Sequence, residues 1–289
     1  MGDTYRLKLL QTIDELKEVQ QLEREVWQMD PIPVHQTLTA IKNGGMILGG
    51  FDQDKLVGFN YGFPGFAGGK VHLCSHMLGI LPAYRGRGLG EALKWGQREW
   101  ALAQGYRLIT WTFDPLESVN GYLNFGKLRG ISQTYVRDCY GSMSDALNHG
   151  LPSDRLLVEW WIDSPHVKER PEIPPADEAD LQEVAWKLTE QGYPYLTDDV
   201  VSEVHADKEA AYIPIPVQFQ QLKRTDFSLA LDWRLKTRAL METLFAKGYV
   251  AAGVVRLPGQ PVQYYAAVKR DRLTIDFTAN TVEGRETQP

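Results

Sequence analysis

Arg85-Gly86-Arg87-Gly88-Leu89-Gly90 is the stretch of sequence that decides the fold. An apolar segment, residues 77–81, closes with Pro82 before it, and a helical pattern, residues 91–104, follows it. The order strand, glycine-rich turn, helix is typical of a phosphate-binding site. Glycines let the backbone approach the ligand, and the helix N-terminus adds partial positive charge. The sequence therefore predicts that this turn holds a phosphorylated ligand.

The spacing of the glycines argues against the two commonest nucleotide-binding motifs. A P-loop has Lys and then Ser or Thr after its last glycine, whereas Glu91 and Ala92 stand there. A dinucleotide-binding fingerprint has its third glycine three residues after a closely spaced pair, in a repeating βαβ unit. Residues 86–90 have a different interval, so NAD is not expected. For the motif taken alone, a tight turn without any ligand is the alternative.

The stretch resembles motif A of the GNAT superfamily of N-acetyltransferases. That pattern is Arg or Gln, two residues, Gly, one residue, then Gly or Ala, and Arg85, Gly88 and Gly90 match it. The resemblance implies an α/β protein with the GNAT acyl-CoA N-acyltransferase fold, a mixed and splayed central sheet flanked by helices. It covers roughly the first 165 residues, so residues 1–164 are predicted to form the acyltransferase domain.

Hydrophobic periodicity predicts the element order that this fold requires, β-α-α-β-β-β-α-β-α-β-β. The predicted strands are residues 5–10, 46–52, 55–61, 78–82, 108–113, 133–140 and 156–162. The predicted helices are residues 12–27, 34–43, 91–104 and 118–128. Thr12 and Glu15 have the spacing of a capping box at the start of the first helix.

Length and composition agree with a soluble enzyme of two domains. A chain of 289 residues can bury a full core. The net charge of −6 is spread over interspersed acids and bases, so no nucleic-acid partner is expected. The two cysteines suggest neither a disulfide framework nor a metal site. No signal sequence or membrane-spanning apolar run is apparent, so a cytoplasmic protein without a membrane partner is expected.

The second part of the chain, residues 165–289, is predicted to be an α+β extension. It starts with a Pro-rich linker and ends in a segment predicted to be disordered. Its predicted parts are a linker at 165–175, helices at 176–191 and 228–247, an extended run at 212–222, a hairpin of 249–257 with 262–269, and disorder from about residue 280. Pro214 and Pro216 confine part of the extended run to a sheet edge or an irregular path. The extension either packs on the acyltransferase sheet or completes its acceptor pocket, or else it stabilises the protein or forms a homodimer.

The resemblance also implies the binding residues for acetyl-CoA or another acyl-CoA. The diphosphate is expected on the motif A turn and the pantetheine along the preceding strand. The implied residues are Arg85, Gly86, Arg87, Gly88, Leu89 and Gly90 for the diphosphate, the backbone of Leu78, Gly79 and Ile80 for the pantetheine, and Asn120 and Asn124 for the pantetheine or the adenine side. For each arginine, an exposed turn residue without a ligand is the alternative.

Three side chains on the strand before the turn are candidates for proton transfer. Strand alternation places His72, Cys74 and His76 on one face. By resemblance, Cys74 falls where relatives carry a catalytic Glu, so the usual carboxylate is missing. His76 or His72 could replace it, since imidazole titrates near neutral pH, but either could simply pack. Cys74 is interpreted as a small buried residue rather than a nucleophile.

The candidates for proton donation and acceptor binding lie after the next strand. In relatives a Tyr on the following helix protonates the leaving thiolate, and Phe125 occupies that position here. Tyr122, one turn earlier, is the nearest replacement, and Tyr140 is another, although either could merely pack. Asp114 could hold or deprotonate the ammonium of an acceptor, or it could be a turn residue before Pro115.

Residues 140–145, followed by 151–156, resemble a subgroup of predicted acetyltransferases. Some members of that subgroup are associated with N-acyl amino acid metabolism, including N-succinylation. The predicted function is therefore acyl-CoA-dependent N-acylation of a small amine or amino acid, with an acetyl or succinyl donor. The alternatives are a non-catalytic CoA-binding regulatory module and a protein-lysine acetyltransferase.

Overall fold

The computed structural model describes residues 5–141, 150–173, 181–202, 204 and 208–278. The chain divides into two compact units, each described by itself. Unit 1 comprises Met1–Trp111, Trp161–Ser164 and Asp276–Pro289, and unit 2 comprises Thr112–Trp160 and Pro165–Ile275. Each unit takes residues from both sides of position 164, and the predicted domain boundary there stays a prediction.

Unit 1 is built on a sheet with the strand order β1-β2-β3-β4-β5. Neighbouring strands are antiparallel, except that β4 and β5 are parallel. The elements are β1 (Arg6–Leu9), α1 (Ile13–Trp27), α2 (Val34–Lys42), β2 (Met46–Asp52), β3 (Lys55–Ala67), β4 (Lys70–Ile80), α3 (Leu89–Ala103) and β5 (Ile109–Phe113), of which the last two residues belong to unit 2. The predicted order is confirmed over this region.

Local sequence signals account for the ends of two elements in unit 1. The capping box of α1 is present, because Thr12 Oγ1 accepts from the Glu15 N–H at 3.3 Å and the Glu15 carboxylate accepts from the Thr12 N–H at 2.9 Å. Strand β3 is six residues longer than its predicted end at Tyr61. Its extra length, which contains Pro64 and Gly65, pairs with β4 up to a turn at Gly68-Gly69, so long-range pairing overrides the weak strand propensity of those residues.

Unit 2 contains a sheet with the order β7-β6-β12-β13-β11-β8 and a separate antiparallel pair, β9 with β10. Its elements are α4 (Ser118–Gly121), a π-helical turn (Tyr122–Lys127), β6 (Ile131–Val136), β7 (Arg155–Trp160), α5 (Pro165–Lys168), β8 (Leu181–Glu183), β9 (Trp186–Leu188), β10 (Pro194–Leu196), β11 (Ala210–Pro216), α6 (Phe219–Thr225), α7 (Phe227–Ala246), β12 (Tyr249–Val255) and β13 (Val262–Lys269).

The C-terminal part of the chain extends the sheet of unit 2. Strand β12 pairs with β6 through Ala251 and Ser132, and β13 and β11 follow in the sheet. The predicted long helix and the predicted hairpin are confirmed as α7 and as β12 with β13. Pro214 and Pro216 lie in the part of β11 that pairs with β13, beyond the three residues that pair with β8, as expected for prolines at an edge.

Several predictions for the C-terminal part are wrong. The helix predicted over 176–191 is, in its described part, two short strands, because β8 joins β11 and tertiary pairing overrides the helical period. The run predicted as extended over 212–222 ends at Pro216, and α6 follows. By contrast, the helix predicted over 118–128, in the first part of the chain, is confirmed up to Lys127 as α4 followed by a π-helical turn. The predicted linker begins as the one-turn helix α5. Residues 174–180 and 279–289 lie outside the described part, and with them the predicted disorder.

No helix among the described residues combines the length and the apolar character needed to cross a bilayer. The described residues also contain no cluster of three or more His, Cys, Asp or Glu side chains that could bind a metal ion. Both cysteines, Cys74 and Cys139, are free thiols.

His166 on α5 gives unit 2 a dependence on pH. The side chain is fully buried, and burial together with the charge of Arg129 lowers its pKa to about 4. In the unfolded chain a histidine keeps a pKa near 6.5. Between that pH and about pH 4, His166 is therefore protonated in the unfolded state and neutral in the folded state. We expect His166 to lower the free energy of unfolding by about 2 kcal/mol between pH 7 and pH 5.

Urea denaturation of the wild type and His166→Leu at pH 7 and pH 5 measures this contribution. The variant is expected to lose less stability on acidification than the wild type, because the other groups titrate equally in both. His35→Leu, which changes an exposed histidine, is the matched control. Equal pH dependence in the wild type and His166→Leu would contradict the assignment.

Candidate functional site

The turn between β4 and α3 has the backbone geometry of an anion cradle. Gly86 and Gly88 have φ values of 75° and 88°, in the left-handed region, and Gly88 is the N-cap of α3. A Cβ built on either glycine meets no atom within 4 Å, so open space lies beside the turn. The first N–H groups of a helix have no intrahelical acceptor, and here they follow directly on these glycines. The arrangement fits a diphosphate.

Close packing fixes the start of α3 against the sheet of unit 1. Leu89, the first residue of the helix, is buried, and its side chain fills the space beside Gly50 and Gly58. A Cβ on Gly50 would lie 2.6 Å from a Leu89 methyl group, and a Cβ on Gly58 would lie 2.9 Å from the other. These two strand glycines therefore let the N-terminus of α3 approach the sheet.

The two arginines of the turn are exposed and have different contacts. Arg85 Nε donates to the carbonyl of Ile80 at 3.1 Å, and this bond ties the turn to the end of β4. The Arg87 guanidinium lies 5.8 Å from the centroid of the Tyr84 ring. A charge-assisted bond from either guanidinium to a phosphate would contribute about 1.5–3 kcal/mol. The backbone of Ile80 is predicted to bind the pantetheine, and its carbonyl already accepts the hydrogen bond from Arg85.

Strands β4 and β5 form a fork in unit 1. Their pairing comprises Leu73 with Ile109 and Cys74 with Thr110, and β4 then continues for six residues to Ile80. The first residues beyond the pairing are Ser75 on β4 and Trp111 on β5. Leu78, Gly79 and Ile80, where the pantetheine is predicted, all lie in the diverging part of β4.

A β-bulge lies at His76, which the sequence analysis did not predict. Tyr61 on β3 pairs with Met77, while the next residue, Gly62, pairs with Ser75, so His76 is the extra residue of β4. Bulges are common beside active sites, where they redirect a side chain. The His76 ring packs 5.9 Å from the Tyr61 ring and 5.6 Å from the Phe63 ring, measured between centroids. Although the residue as a whole is exposed, burial of the ring lowers its pKa below the ordinary value.

His72 and Cys74 lie on the same face of β4 as the His76 ring. Cys74 pairs with Phe63, and His72 pairs with Gly65, over which its ring lies. Burial raises the pKa of the Cys74 thiol, against the opposing effect of Lys94. At neutral pH the group is therefore a thiol, which supports its interpretation as a small packed residue. The structure thus places the three predicted side chains together, and their catalytic roles stay predictions.

Lys94, which was not among the predicted site residues, lies on α3 and is only 3% exposed. Its Nζ donates to Ser75 Oγ at 2.8 Å and lies 3.5 Å from the centroid of the Trp111 ring. Burial lowers its pKa well below the ordinary value. No signal in the sequence indicated this burial, because positions 90, 94, 97 and 101, which share one face of α3, are Gly, Lys, Gln and Ala and do not form an apolar stripe.

In unit 2, Asp114 lies in a network of ion pairs. Its carboxylate accepts from Arg234 at 2.5 Å and lies 3.8 Å from Arg155. It also accepts from the Leu116 N–H at 2.8 Å, which is the geometry of a turn. The carboxylate predicted to hold an acceptor ammonium is therefore already bound by cations. The nearby Glu117 hydrogen bonds to Gln220, and burial raises its pKa.

The remaining predicted residues of unit 2 lie on α4 and the π-helical turn. Tyr122 begins that turn, and its ring lies 4.5 Å from the Arg256 guanidinium. Asn120 is exposed, whereas Asn124 is buried. Phe125 is fully buried, with its ring centroid 5.5 Å from that of Phe113 and 5.2 Å from that of Tyr265. Phe125 thus packs in an aromatic cluster, at the position where the resemblance implies a proton donor.

The comparisons with known proteins agree with the motif and with the fold that carries it. The model of the Acetyltransferase (GNAT) family matches residues 11–126. This segment belongs to the GNAT superfamily. The predicted GNAT fold is thereby confirmed for the part of the chain that holds the turn, the fork and the bulge.

Solved structures similar to the GNAT segment share little sequence with it. The ribosomal-protein-S18-alanine N-acetyltransferase from Escherichia coli is 14% identical, covers 55% of this chain and 94% of its own, and has a TM-score of 0.44. An N-acetyltransferase from Staphylococcus aureus Mu50 is 14% identical, with 55% and 99% covered and a TM-score of 0.45. Arabidopsis thaliana NAA60 in complex with acetyl-CoA is 14% identical, with 55% and 99% covered and a TM-score of 0.44. No curated protein sequence matches the chain.

Proposed function

We propose that the protein is an acyl-CoA-dependent N-acyltransferase. The donor is acetyl-CoA or succinyl-CoA, and the acceptor is the amine of a small molecule. Among small molecules, an amino acid is the acceptor that we favour. The observation that carries the proposal is the open glycine turn at the N-cap of α3, next to a strand that diverges from its neighbour. Neither a P-loop nor a dinucleotide-binding turn has this combination of spacing and strand geometry.

Each part of the site in unit 1 has a task in this proposal. The N–H groups of residues 86–90 bind the diphosphate, and Arg85 and Arg87 add charge at the rim of the turn. The diverging part of β4, which includes Leu78, offers backbone groups to the pantetheine amides. The acyl-CoA supplies the activated thioester, while the protein binds it, orients it and moves the protons.

His76 is the residue proposed to deprotonate the acceptor. An alkylammonium has a pKa about 3 units above neutrality, so removing its proton costs on the order of 4–5 kcal/mol. Because burial lowers the pKa of His76, its imidazole is neutral at physiological pH and can accept that proton. His76 is the extra residue of the bulge, and its ring lies on the face of β4 that also carries Cys74.

His76→Ala is expected to lower kcat about 100-fold without changing the dissociation constant of CoA, because the turn that binds the diphosphate is untouched. The activity of the wild type should rise with pH through the lowered pKa of His76 and reach its plateau below the ordinary range of histidine. Thiol release from acetyl-CoA in the presence of amines measures kcat, and calorimetry measures CoA binding. His35→Ala is the matched control, and unchanged turnover in His76→Ala would exclude the residue as the base.

The acceptor class is tested by thiol release from acetyl-CoA and succinyl-CoA against amino acids, simple amines and lysine-containing peptides. Turnover with amino acids supports the preferred form, and turnover with peptides alone would replace it with protein-lysine acetylation. CoA binding without turnover on any acceptor would favour a regulatory module. Failure of calorimetry to detect CoA binding would overturn the proposal as a whole.

A further inference from the structure

Lys94 lies at the point where the fork between β4 and β5 opens. The last paired residues are Cys74 and Thr110, and the next residue on each strand contacts the lysine. Its Nζ donates to Ser75 Oγ at 2.8 Å on the β4 side and lies 3.5 Å from the Trp111 ring centroid on the β5 side. The amine therefore bridges the two strands at their separation, and all of these residues belong to unit 1.

The surroundings of Lys94 favour the neutral amine. On its own helix, Gln97 Oε1 lies 3.4 Å from Nζ, and on β3, Asn60 contacts the same Ser75 hydroxyl at 3.4 Å. The titratable group that interacts with Lys94 is the Cys74 thiol on β4. In the part of the chain that the structure describes, no Asp or Glu forms an ion pair with Lys94. Desolvation therefore dominates, and it lowers the pKa of the amine well below the ordinary value.

A structural role alone does not require an amine at this position. A long apolar side chain would fill the same space under the sheet without the cost of burying a polar group. Lys94 also lies one helical turn after Gly90, in the helix whose N-terminus forms the proposed diphosphate cradle. Its position relative to the turn and the fork is therefore set by the same rigid element.

We propose that Lys94 is the residue that carries the proton from the acceptor nitrogen to the leaving sulfur during acyl transfer. The inference rests on the proposed function, which puts the thioester in the fork. When the N–C bond forms and the C–S bond breaks, the acceptor nitrogen loses a proton and the sulfur gains one. The neutral Nζ accepts the first and returns it to the sulfur, so the lysine ends the cycle neutral.

Lys94 and His76 are proposed to transfer different protons of the acceptor nitrogen. His76 acts before the attack, when the acceptor ammonium becomes an amine. Lys94 acts afterwards, on the second proton of that nitrogen. The residue at the usual position of the proton donor, Phe125, has no ionisable group and is fully buried. Lys94, on α3 of unit 1, is the ionisable group proposed to return a proton to the leaving sulfur.

Binding of free CoA tests the inference without any acceptor. If Nζ exchanges a proton with the CoA sulfur, bound CoA should contain a larger fraction of thiolate in the wild type than in a protein that lacks the amine. The probe is the difference in ultraviolet absorbance between the complexes with CoA and with S-methyl-CoA, in which the adenine contribution cancels. We expect the thiolate signal to fall at least about tenfold in Lys94→Met, with the dissociation constant of CoA changed less than about twofold.

Two controls separate the possible outcomes. Lys42→Met, a change at an exposed lysine, should keep the thiolate signal of the wild type. Titration of wild-type Lys94 by NMR of its ε carbon does not depend on any variant folding, and it should show a pKa well below that of an exposed lysine. An unchanged thiolate signal in Lys94→Met, or a Lys94 that titrates like an exposed lysine, would overturn the inference while leaving the proposed function intact. Absence of CoA binding in the wild type would overturn both.

With an active acceptor in hand, Lys94→Met should also lower kcat about 100-fold and leave KM for acyl-CoA nearly unchanged. Removal of a buried amine is expected to maintain or raise the melting temperature, because the methionine needs no hydrogen bond there. Full turnover in a folded Lys94→Met protein would contradict the assignment.

Discussion

Replacement of Gly88 by Ala is expected to raise the dissociation constant of CoA about 1,000-fold, because the new methyl group would enter the space of the diphosphate and displace it from two or more backbone N–H groups. In the free protein that space is open, since a Cβ at this position meets no atom within 4 Å. The free protein should therefore remain folded. Calorimetry with CoA measures the loss of affinity.

The matched control for this change lies at the other end of the same helix. Gly105 has φ 86°, close to the 88° of Gly88, and its added Cβ also meets no atom within 4 Å. Ala in this left-handed conformation costs roughly 1–2 kcal/mol at either position. Gly105→Ala should thus lose as much stability in urea denaturation as Gly88→Ala and yet bind CoA like the wild type. Equal affinity in the two variants would contradict the placement of the diphosphate.

Replacement of Arg234 by Met is expected to lower the free energy of unfolding of unit 2 by about 3–5 kcal/mol, because it leaves the buried Asp114 carboxylate without its closest cation. The Arg234 side chain is 2% exposed and that of Asp114 is 11% exposed, so water cannot replace the lost contact. Arg155, at 3.8 Å from the carboxylate, compensates only in part. Urea denaturation of the full chain measures the effect.

Two further variants show whether burial of the Asp114 carboxylate causes this loss of stability. The double variant Arg234→Met with Asp114→Asn should recover a large part of the stability, since it removes the stranded charge. Arg137→Met breaks the pair with Glu242, where the Arg137 side chain is 63% exposed, and should cost much less stability than Arg234→Met. An equal loss in Arg137→Met and Arg234→Met would show that burial does not set the strength of the Asp114 pair.

The pair between Arg234 and Asp114 also shows what the extension does within unit 2. Arg234 is on α7, whereas Asp114 directly follows β5 of the GNAT segment. Tyr265 on β13 donates to the carbonyl of Pro115, and Gln263 donates to that of Ser118. Within unit 2, the C-terminal part thus holds the segment that follows β5. A role in binding the acceptor stays a prediction.

Local patterns predicted most of unit 1. The capping box at Thr12 and Glu15, the glycine turn and the helix after it depend on residues close together in the chain, so their spacing carries the information. The errors lie where distant residues decide. The short strand β8 exists because it pairs with β11, and residues 181–188 by themselves have a helical period. The pairing of β8 with β11 cannot be predicted from a local pattern in a single sequence.

The sequence by itself determined the family and the α/β fold of the GNAT segment, and it predicted a phosphorylated ligand at the glycine turn. Each of these depends on a backbone conformation that only glycines at particular positions allow. Only the tertiary structure decided that His76 is the extra residue of a bulge and that Lys94 faces the opening between β4 and β5. The register of two paired strands and the burial of one face of a helix are set by residues far apart in the chain, so a local pattern does not reveal them.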